Sequence, residues 1–136
     1  MGDVRVICAI GQSGQLGLRG GLPWEGDPRR EFKADVARFF ELTKGHVLIA
    51  GPRTIASFPA WARPERTLVV VRSNDDPRTV LERFPGRVVF VGGGPPVWRA
   101  YAPFVNHWDV TRLSYDSEAD RYFDPAWLHG GFSAES

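Results

Sequence analysis

Residues 87–104 read RVVFVGGGPPVWRAYAPF. Val88–Val91 form a short apolar run with β-branched residues, and Gly92–Gly94 break it. Pro95 and Pro96 then stand where a helix accepts proline, in its first turn, so the stretch reads as strand, glycine turn, helix. Working outward, HVLIAGPRTIAS (46–57) repeats the same order, and RTLVVVRS (66–73) is a third strand with a polar end. DPRTVLERF (76–84) reads as a helix capped by Asp76 with Pro77 in its first position. Val4–Ile10 and HWDVTRLSY (107–115) supply two further strands. Strands alternating with helices predict an α/β fold with a mainly parallel central sheet flanked by helices and joined by right-handed crossovers. The unbroken apolar centre of RTLVVVRS predicts a strand covered on both faces.

In such a sheet ligands bind beyond the carboxyl ends of the strands. Three consecutive strands end there in polar or glycine-rich turns, beginning at Gly51, Arg72 and Gly92. Helix starts carry unpaired N–H groups and a positive dipole, so the turns at Gly51 and Gly93 suit phosphates, and Arg53 and Arg72 add charge-assisted bonds. GGGPP alone is equally well read as a plain helix start. Three such turns in a row suit a ligand with several phosphates, such as a dinucleotide.

The chain has 136 residues, enough for one domain, 1–136, to bury a core without disulfides or a structural metal. Seventeen basic against 16 acidic residues give a net charge of +1, so neither nucleic acid nor an anionic membrane surface is an expected partner. Cys8 is the single cysteine, which excludes a disulfide framework and a cysteine metal site, and fits a reducing compartment. Asp3 stands where a signal peptide needs a basic residue, and no apolar run could span a bilayer, so the expected location is cytoplasmic. His46, His107 and His129 lack the spacing of metal ligands, and no metal is expected. Trp61, Trp108 and Trp127 read as packing residues, and Trp98 as lying near a ligand.

GQSGQLGLRGGLPWEGDP (11–28) holds six glycines and two prolines in eighteen residues. Its Leu16, Leu18, Leu22 and Trp24 are apolar enough to pack, which favours an active-site loop over a floppy connector. A helix follows from about Pro28 to Lys44, with Asp27 as N-cap and Gly45 as its stop. At helical spacing Phe32, Phe39 and Leu42 share a side with Asp35, and Val36, Phe40 and Thr43 lie beside them. A carboxylate on an apolar face needs a reason. A lone aspartate there would ordinarily be a cap or a solvated edge, as in a non-catalytic nucleotide-binding module.

The ordered set AIGQSGQLGLRGGLPW, DVARFFELTKGHVLIAGPRT, RTLVVVRS, VGGGPPVW, VTRLSY and ADRYF resembles the dihydrofolate reductase family over nearly the whole chain. The resemblance implies that Asp35 is the buried carboxylate that binds the amidine edge of a pterin, with Thr111 as its paired hydroxyl and Trp24 as the ring that holds an ordered water near both. It places Ile7, Cys8, Val36, Phe39, Phe58, Arg63, Arg66 and Gly92 around the substrate. It assigns Ala9, Leu16, Gly17, Gly51, Arg53, Thr54, Ser57, Arg72, Ser73, Gly93, Gly94, Val97 and Trp98 to NADPH, with Gly93 and Gly94 as the family's cis pair. A carboxylate among phenylalanines should have a raised pKa, which suits imine reduction, where hydride transfer is accompanied by protonation.

Four departures qualify the resemblance. Ten residues separate Trp24 from Asp35, longer than usual, which leaves Asp27 and Glu31 as competing acids; the spacing from Asp35 to Phe39, Thr43 and Gly51 favours Asp35. Arg63 stands where an apolar wall is expected and Gly92 where a bulky aliphatic is, so the tail subsite should be wider and more basic. Pro52 replaces a basic residue, leaving Arg53, Thr54, Arg72 and Ser73 for a 2′-phosphate. The short C-terminal part is expected to leave a sheet edge for self-assembly or for a strand at Phe132–Ala134 to cover. A shortened scaffold with a basic tail subsite is similar to the dihydromethanopterin reductases, whose substrate carries a phosphorylated, acidic tail. Dihydrofolate is the alternative substrate, and a riboflavin-pathway-type reductase, which would not need Trp24, Asp35 and Thr111, is a further one.

Overall fold

The computed structural model describes residues 2–19 and 21–129. Its strands are β1 (Asp3–Ile10), β2 (Gln15–Gly17), β3 (Val47–Ala50), β4 (Thr67–Val70), β5 (Val88–Val91), β6 (His107–Arg112) and β7 (Arg121–Tyr122). The helices are α1 (Arg30–Thr43), α2 (Pro52–Ala56), α3 (Pro77–Leu81) and α4 (Pro95–Tyr101), with 3-10 turns at Ala60–Glu65, Ala102–Phe104 and Pro125–His129. Five strands form one sheet in the order β4-β3-β5-β1-β6, and every neighbouring pair is parallel. The expected α/β architecture is present, and β2 and β7 form a separate antiparallel pair.

Position in the sheet decides how far each strand is buried. Val47, Leu48, Ile49 and Ala50 of β3 are wholly buried between β4 and β5. Burying such aliphatic side chains contributes about 1.5–3 kcal/mol each. β4 departs from the expected two-sided cover: Thr67 and Val70 are exposed, and Leu68 and Val69 are half-buried. The strand lies at the sheet's edge, where short α2 and α3 shield only part of it. β6 is the opposite edge, pairing only with β1 among the described residues. Phe132–Ala134, considered as a covering strand, lies outside the described residues.

Asp27 does not cap α1. The helix starts at Arg30 with Arg29 as an uncapped N-cap, and Pro28 lies outside it. Asp27 therefore stands two residues before the N-cap position, too early to reach the first free N–H groups of the helix. Its carboxylate instead accepts the Arg29 backbone N–H at 2.9 Å and pairs with the Arg29 guanidinium at 3.0 Å. At the other end Gly45 has φ +79°, the left-handed conformation that stops a helix. Asp76 caps α3 as expected, accepting from the Arg78 N–H at 3.1 Å and the Thr79 hydroxyl at 3.2 Å.

The apolar side of α1 is also narrower than its spacing suggests. Phe32 and Thr43 are its buried residues, whereas Val36 and Leu42 are each 40% exposed. The flank between Phe32 and Thr43 faces a cleft rather than a closed core.

Candidate active site

Asp35 lies mid-way along α1, half-buried, with no hydrogen-bond partner among the described residues. Burial pushes its carboxyl above the usual range; the Arg38 guanidinium pulls it down, and the neighbouring Asp109 carboxylate pushes it up. The two rival acids are engaged elsewhere. Asp27 is tied to Arg29, and Glu31 accepts from the hydroxyl and backbone N–H of Ser114.

Thr111 sits on β6 opposite Ala9 of β1. Asp109, two residues earlier, accepts from Arg38 of α1, so the alternation of a strand puts Thr111 on that same α1-facing side. Trp24 is buried, stacked on Phe32 with centroids 5.7 Å apart and edge-on to Tyr115 at 5.6 Å. Ala9, Phe32 and Leu113 complete that cluster. The Trp24 indole Nε1–H is buried with no acceptor among the described residues, which leaves it open to an ordered water. Cys8, expected beside the substrate, instead turns from β1 onto the main core, on the face of the sheet opposite Ile7 and Ala9. Its thiol is pushed up to about 12, first by burial and then by Asp35 and Asp109, so it stays neutral.

Ile7, Phe39 and Phe58 meet in one cluster with Leu48, Phe40 and Phe90. Phe58 stands edge-on to Phe39 at 6.0 Å and to Phe40 at 5.6 Å. Outside it runs a groove of about 430 Å3, lined by Lys33, Val36, Ala37, Phe40, Glu41, Lys44, Trp61 and Glu65. Trp61 is not the packing residue that its type suggested: it leans on Phe40 at 4.9 Å and stays 60% exposed as a groove wall. Trp108 and Trp127 do pack in the main core.

The tail subsite differs from its expected form at two residues. Arg63 turns its guanidinium toward the carbonyls of Ile55, at 2.8 Å, and Phe58, at 3.3 Å, closing the end of α2. Gly92 opens no extra space, because a side chain there would meet Leu48 at 3.3 Å and Ala50 at 3.4 Å. Arg66 is wholly enclosed, its guanidinium 5.3 Å from the Phe40 ring centroid. Its Nη2 makes only 3.4 Å contacts, to the Phe40 carbonyl and to Glu65, and its Nε and Nη1 have no partner among the described residues.

At the carboxyl ends of β3 and β5 the two glycine turns lie side by side. The Gly51 N–H donates to the Gly93 carbonyl at 3.1 Å, and Gly51 and Gly94 are the N-caps of α2 and α4. The Gly93–Gly94 peptide is cis. A side chain on Gly93 would fill the space between Thr54 Oγ1 and the Trp98 ring, each 3.8 Å away, and one on Gly51 would meet Val97 at 3.7 Å. Trp98 is a floor beneath this cradle, buried against Trp127 and donating from Nε1 to the Val91 carbonyl at 2.9 Å. The third turn, after β4, exposes Arg72 and Ser73, and Arg53 and Ser57 are exposed beside Gly51. Neither Arg53 nor Arg72 makes an ion pair among the described residues.

A sequence profile described as dihydrofolate reductase matches residues 3–133. The chain belongs to the dihydrofolate reductase family. It is 65% identical over 129 residues to a dihydromethanopterin reductase of Methylorubrum extorquens, covering 95% of this chain and 96% of that one. Dihydrofolate reductases are more distant. That of Mycobacterium tuberculosis is 30% identical over 120 residues, covering 81% of this chain and 71% of its own. The type 8 enzyme of Escherichia coli is 27% identical over 143, covering 91% and 82%.

In this family member the glycine-rich loop is docked. Leu16 and Gly17 are buried, and Gln15 and Gly17 pair with β7. The Arg19 N–H donates to Asp120 at 2.9 Å and the Asp120 N–H to the Gly17 carbonyl at 2.9 Å. Leu22, by contrast, is 42% exposed. Among the described residues no helix is long and apolar enough to cross a membrane, and no three His, Cys, Asp or Glu side chains gather as metal ligands. Reading residues singly missed Arg38, Asp109, Lys33 and Trp61. The available signals were strand alternation, which puts Asp109 beside Thr111, and the lysine count: Lys33 and Lys44 are the chain's two lysines, and both line the groove.

Proposed function

We propose that the chain reduces a 7,8-dihydropterin to the tetrahydropterin with NADPH, by hydride transfer to C6 and protonation of N5, and that dihydromethanopterin is its substrate in preference to dihydrofolate. The observation that carries the reading is Asp35: a half-buried carboxylate with no partner among the described residues, above its usual range, one helical turn from both Phe32 and Phe39. Such a group needs a ligand that presents hydrogen-bond donors on a flat apolar body, and the amidine edge of a pterin is one.

Asp35 would hold that edge, with Thr111 as a neutral second contact. The orphaned Trp24 Nε1–H would fix a water beside it, through which a proton reaches N5 while Asp35 polarises the ring. Ile7, Phe39 and Phe58 would wall the ring and exclude bulk water. The paired turns at Gly51 and Gly93, the open space before Thr54 and the exposed Arg53, Arg72 and Ser73 fit a dinucleotide with a 2′-phosphate. NADPH, when bound, supplies the hydride from C4 of its nicotinamide. The substrate's tail would leave along the groove beside Phe40 and Trp61, where Lys33 and Lys44 suit acidic groups, with the enclosed Arg66 behind Phe40. The name of the Methylorubrum extorquens relative supports dihydromethanopterin in particular.

The test is NADPH oxidation by purified protein given dihydromethanopterin or dihydrofolate, with Asp35→Asn beside the native chain. Faster turnover on dihydromethanopterin, and loss of turnover in Asp35→Asn with NADPH binding retained, are expected. Turnover on neither pterin would overturn the reading, and near-native turnover of the variant would remove Asp35 from it.

A further inference from the structure

Arg38 lies three residues after Asp35 on α1 and therefore on the same flank of the helix. Its guanidinium reaches across to β6, where Nη2 donates to Asp109 Oδ2 at 2.6 Å and Nη1 lies 3.4 Å from Oδ1. Asp109 is opposite Ile7 on β1 and two residues before Thr111 on the same face of β6. One cation and two carboxylates thus stand together at the open edge of the sheet, around the pterin-holding end of the cleft. Both members of the pair are partly shielded, with 45% and 31% of their side chains exposed.

We propose that Arg38 and Asp109 are positioning residues for Asp35: their ion pair joins α1 to the edge strand and fixes the local charge against which Asp35 takes up and releases its proton. The inference rests on the assignment of Asp35 to the pterin. A pair serving only as a strut could have been placed anywhere along α1. This one is placed so that Asp35 has a cation on its own helix and an anion across the cleft. The charged groups facing Asp35 are Arg38 from α1 and Asp109 from β6; the Cys8 thiol, turned to the other face of β1, stays neutral. The balance therefore depends on Arg38 and Asp109. Without the guanidinium two carboxylates would confront each other in an apolar site, and Asp35 would keep its proton to higher pH. Without the Asp109 carboxylate Arg38 would be free to turn to Asp35, which would lose its proton at lower pH.

The two variants should consequently move one titration in opposite directions, which loss of a strut cannot do. The experiment follows the Asp35 carboxyl by carbon NMR as a function of pH in the ligand-free protein, and measures the pH dependence of kcat/KM at saturating NADPH. Arg38→Met should shift the Asp35 midpoint and the acid limb upward, Asp109→Asn should shift both downward, and the double variant should fall between them. Arg38→Lys, which keeps the charge, should restore much of the native midpoint. If Arg38→Met fails to fold, Arg38→Gln and Asp109→Asn carry the same opposed signs. Variants that lower kcat/KM by one factor at every pH, with the Asp35 midpoint unmoved, would show a strut and overturn the proposal. An Asp35→Asn enzyme that still turns over, in a protein whose Asp35 midpoint does shift, would instead break the pterin assignment and leave the coupling standing.

Discussion

Replacing Arg66 by methionine should make the free protein more stable and its tail recognition worse. The side chain has no exposed surface, and its Nε and Nη1 lack partners among the described residues. Each orphaned buried donor costs about 1–3 kcal/mol. Against that stand the stacking on Phe40, about 0.5–2 kcal/mol, and two 3.4 Å contacts at the weak end of hydrogen bonding. Glu65 keeps a second cation in Lys44 at 3.5 Å, so removing Arg66 strands no charge there. Methionine fills a similar volume, and the balance is a gain of about 1–3 kcal/mol, or about 3–10 °C in Tm for a chain of this size. An acidic tail group that satisfies the orphaned nitrogens would be worth about 1.5–3 kcal/mol, so its loss should raise KM about 10- to 100-fold with kcat little changed. Calorimetry of the free protein and steady-state kinetics with dihydromethanopterin read the two effects, and a dihydropterin without an acidic tail should show no change in KM. A Tm that falls by several degrees, or a kcat that falls while KM holds, would show that Arg66 is satisfied in the free protein or serves another part of the site.

Three further outcomes follow from the packing. Gly92→Val should lower Tm by about 3–10 °C in a thermal melt, because its first added carbon already meets Leu48 at 3.3 Å and overpacking costs about 1–3 kcal/mol. Asp76→Ala should cost about 1 kcal/mol in urea unfolding by removing the cap bonds to Arg78 and Thr79, with KM for NADPH unchanged. Cys8 gives stability a pH dependence whose sign is fixed: with the folded thiol pushed from 9.0 to about 12, unfolding releases a proton between those values. Stability should therefore be indifferent to Cys8 below pH 9.0 and fall from there to about pH 12, and Cys8→Ala should flatten that fall in urea titrations.

The parallel sheet was legible because each strand carries its own punctuation. VLIA is apolar throughout and stops at Gly51, and VVFV stops at Gly92, so element type and order needed no long-range information. Burial was less legible. VLIA and TLVV have much the same composition, yet β3 is central and β4 an edge strand, a choice made by which strands pair and not by either sequence. Asp35 was visible because a carboxylate at Phe spacing contradicts its surroundings. Asp109 was not, because its alternation with Val110 and Thr111 resembles any half-exposed strand, and its meaning arises only when α1 brings Arg38 within 2.6 Å. Arg63 shows the reverse: its charge suggested a ligand, but the carbonyls at the end of α2 lie within its reach.

The exposure of α1 has a thermodynamic meaning. Between Phe32 and Thr43 the helix leaves Val36 40% exposed and Asp35, Phe39 and Phe40 only partly covered. Closing that flank over β1 would gain about 1.5–3 kcal/mol for each large apolar side chain taken fully out of water. It would also abolish the cleft, because a ring can be gripped from both faces only where helix and sheet stand apart. The free protein therefore holds α1 with two well-buried residues near its ends and the Arg38–Asp109 pair between them. A flat ligand supplies the missing contact surface when it binds. Affinity for the ring and marginal packing of α1 are then one quantity seen in two states: a substitution that lets α1 settle onto the sheet should stabilise the free fold and weaken pterin binding by comparable amounts.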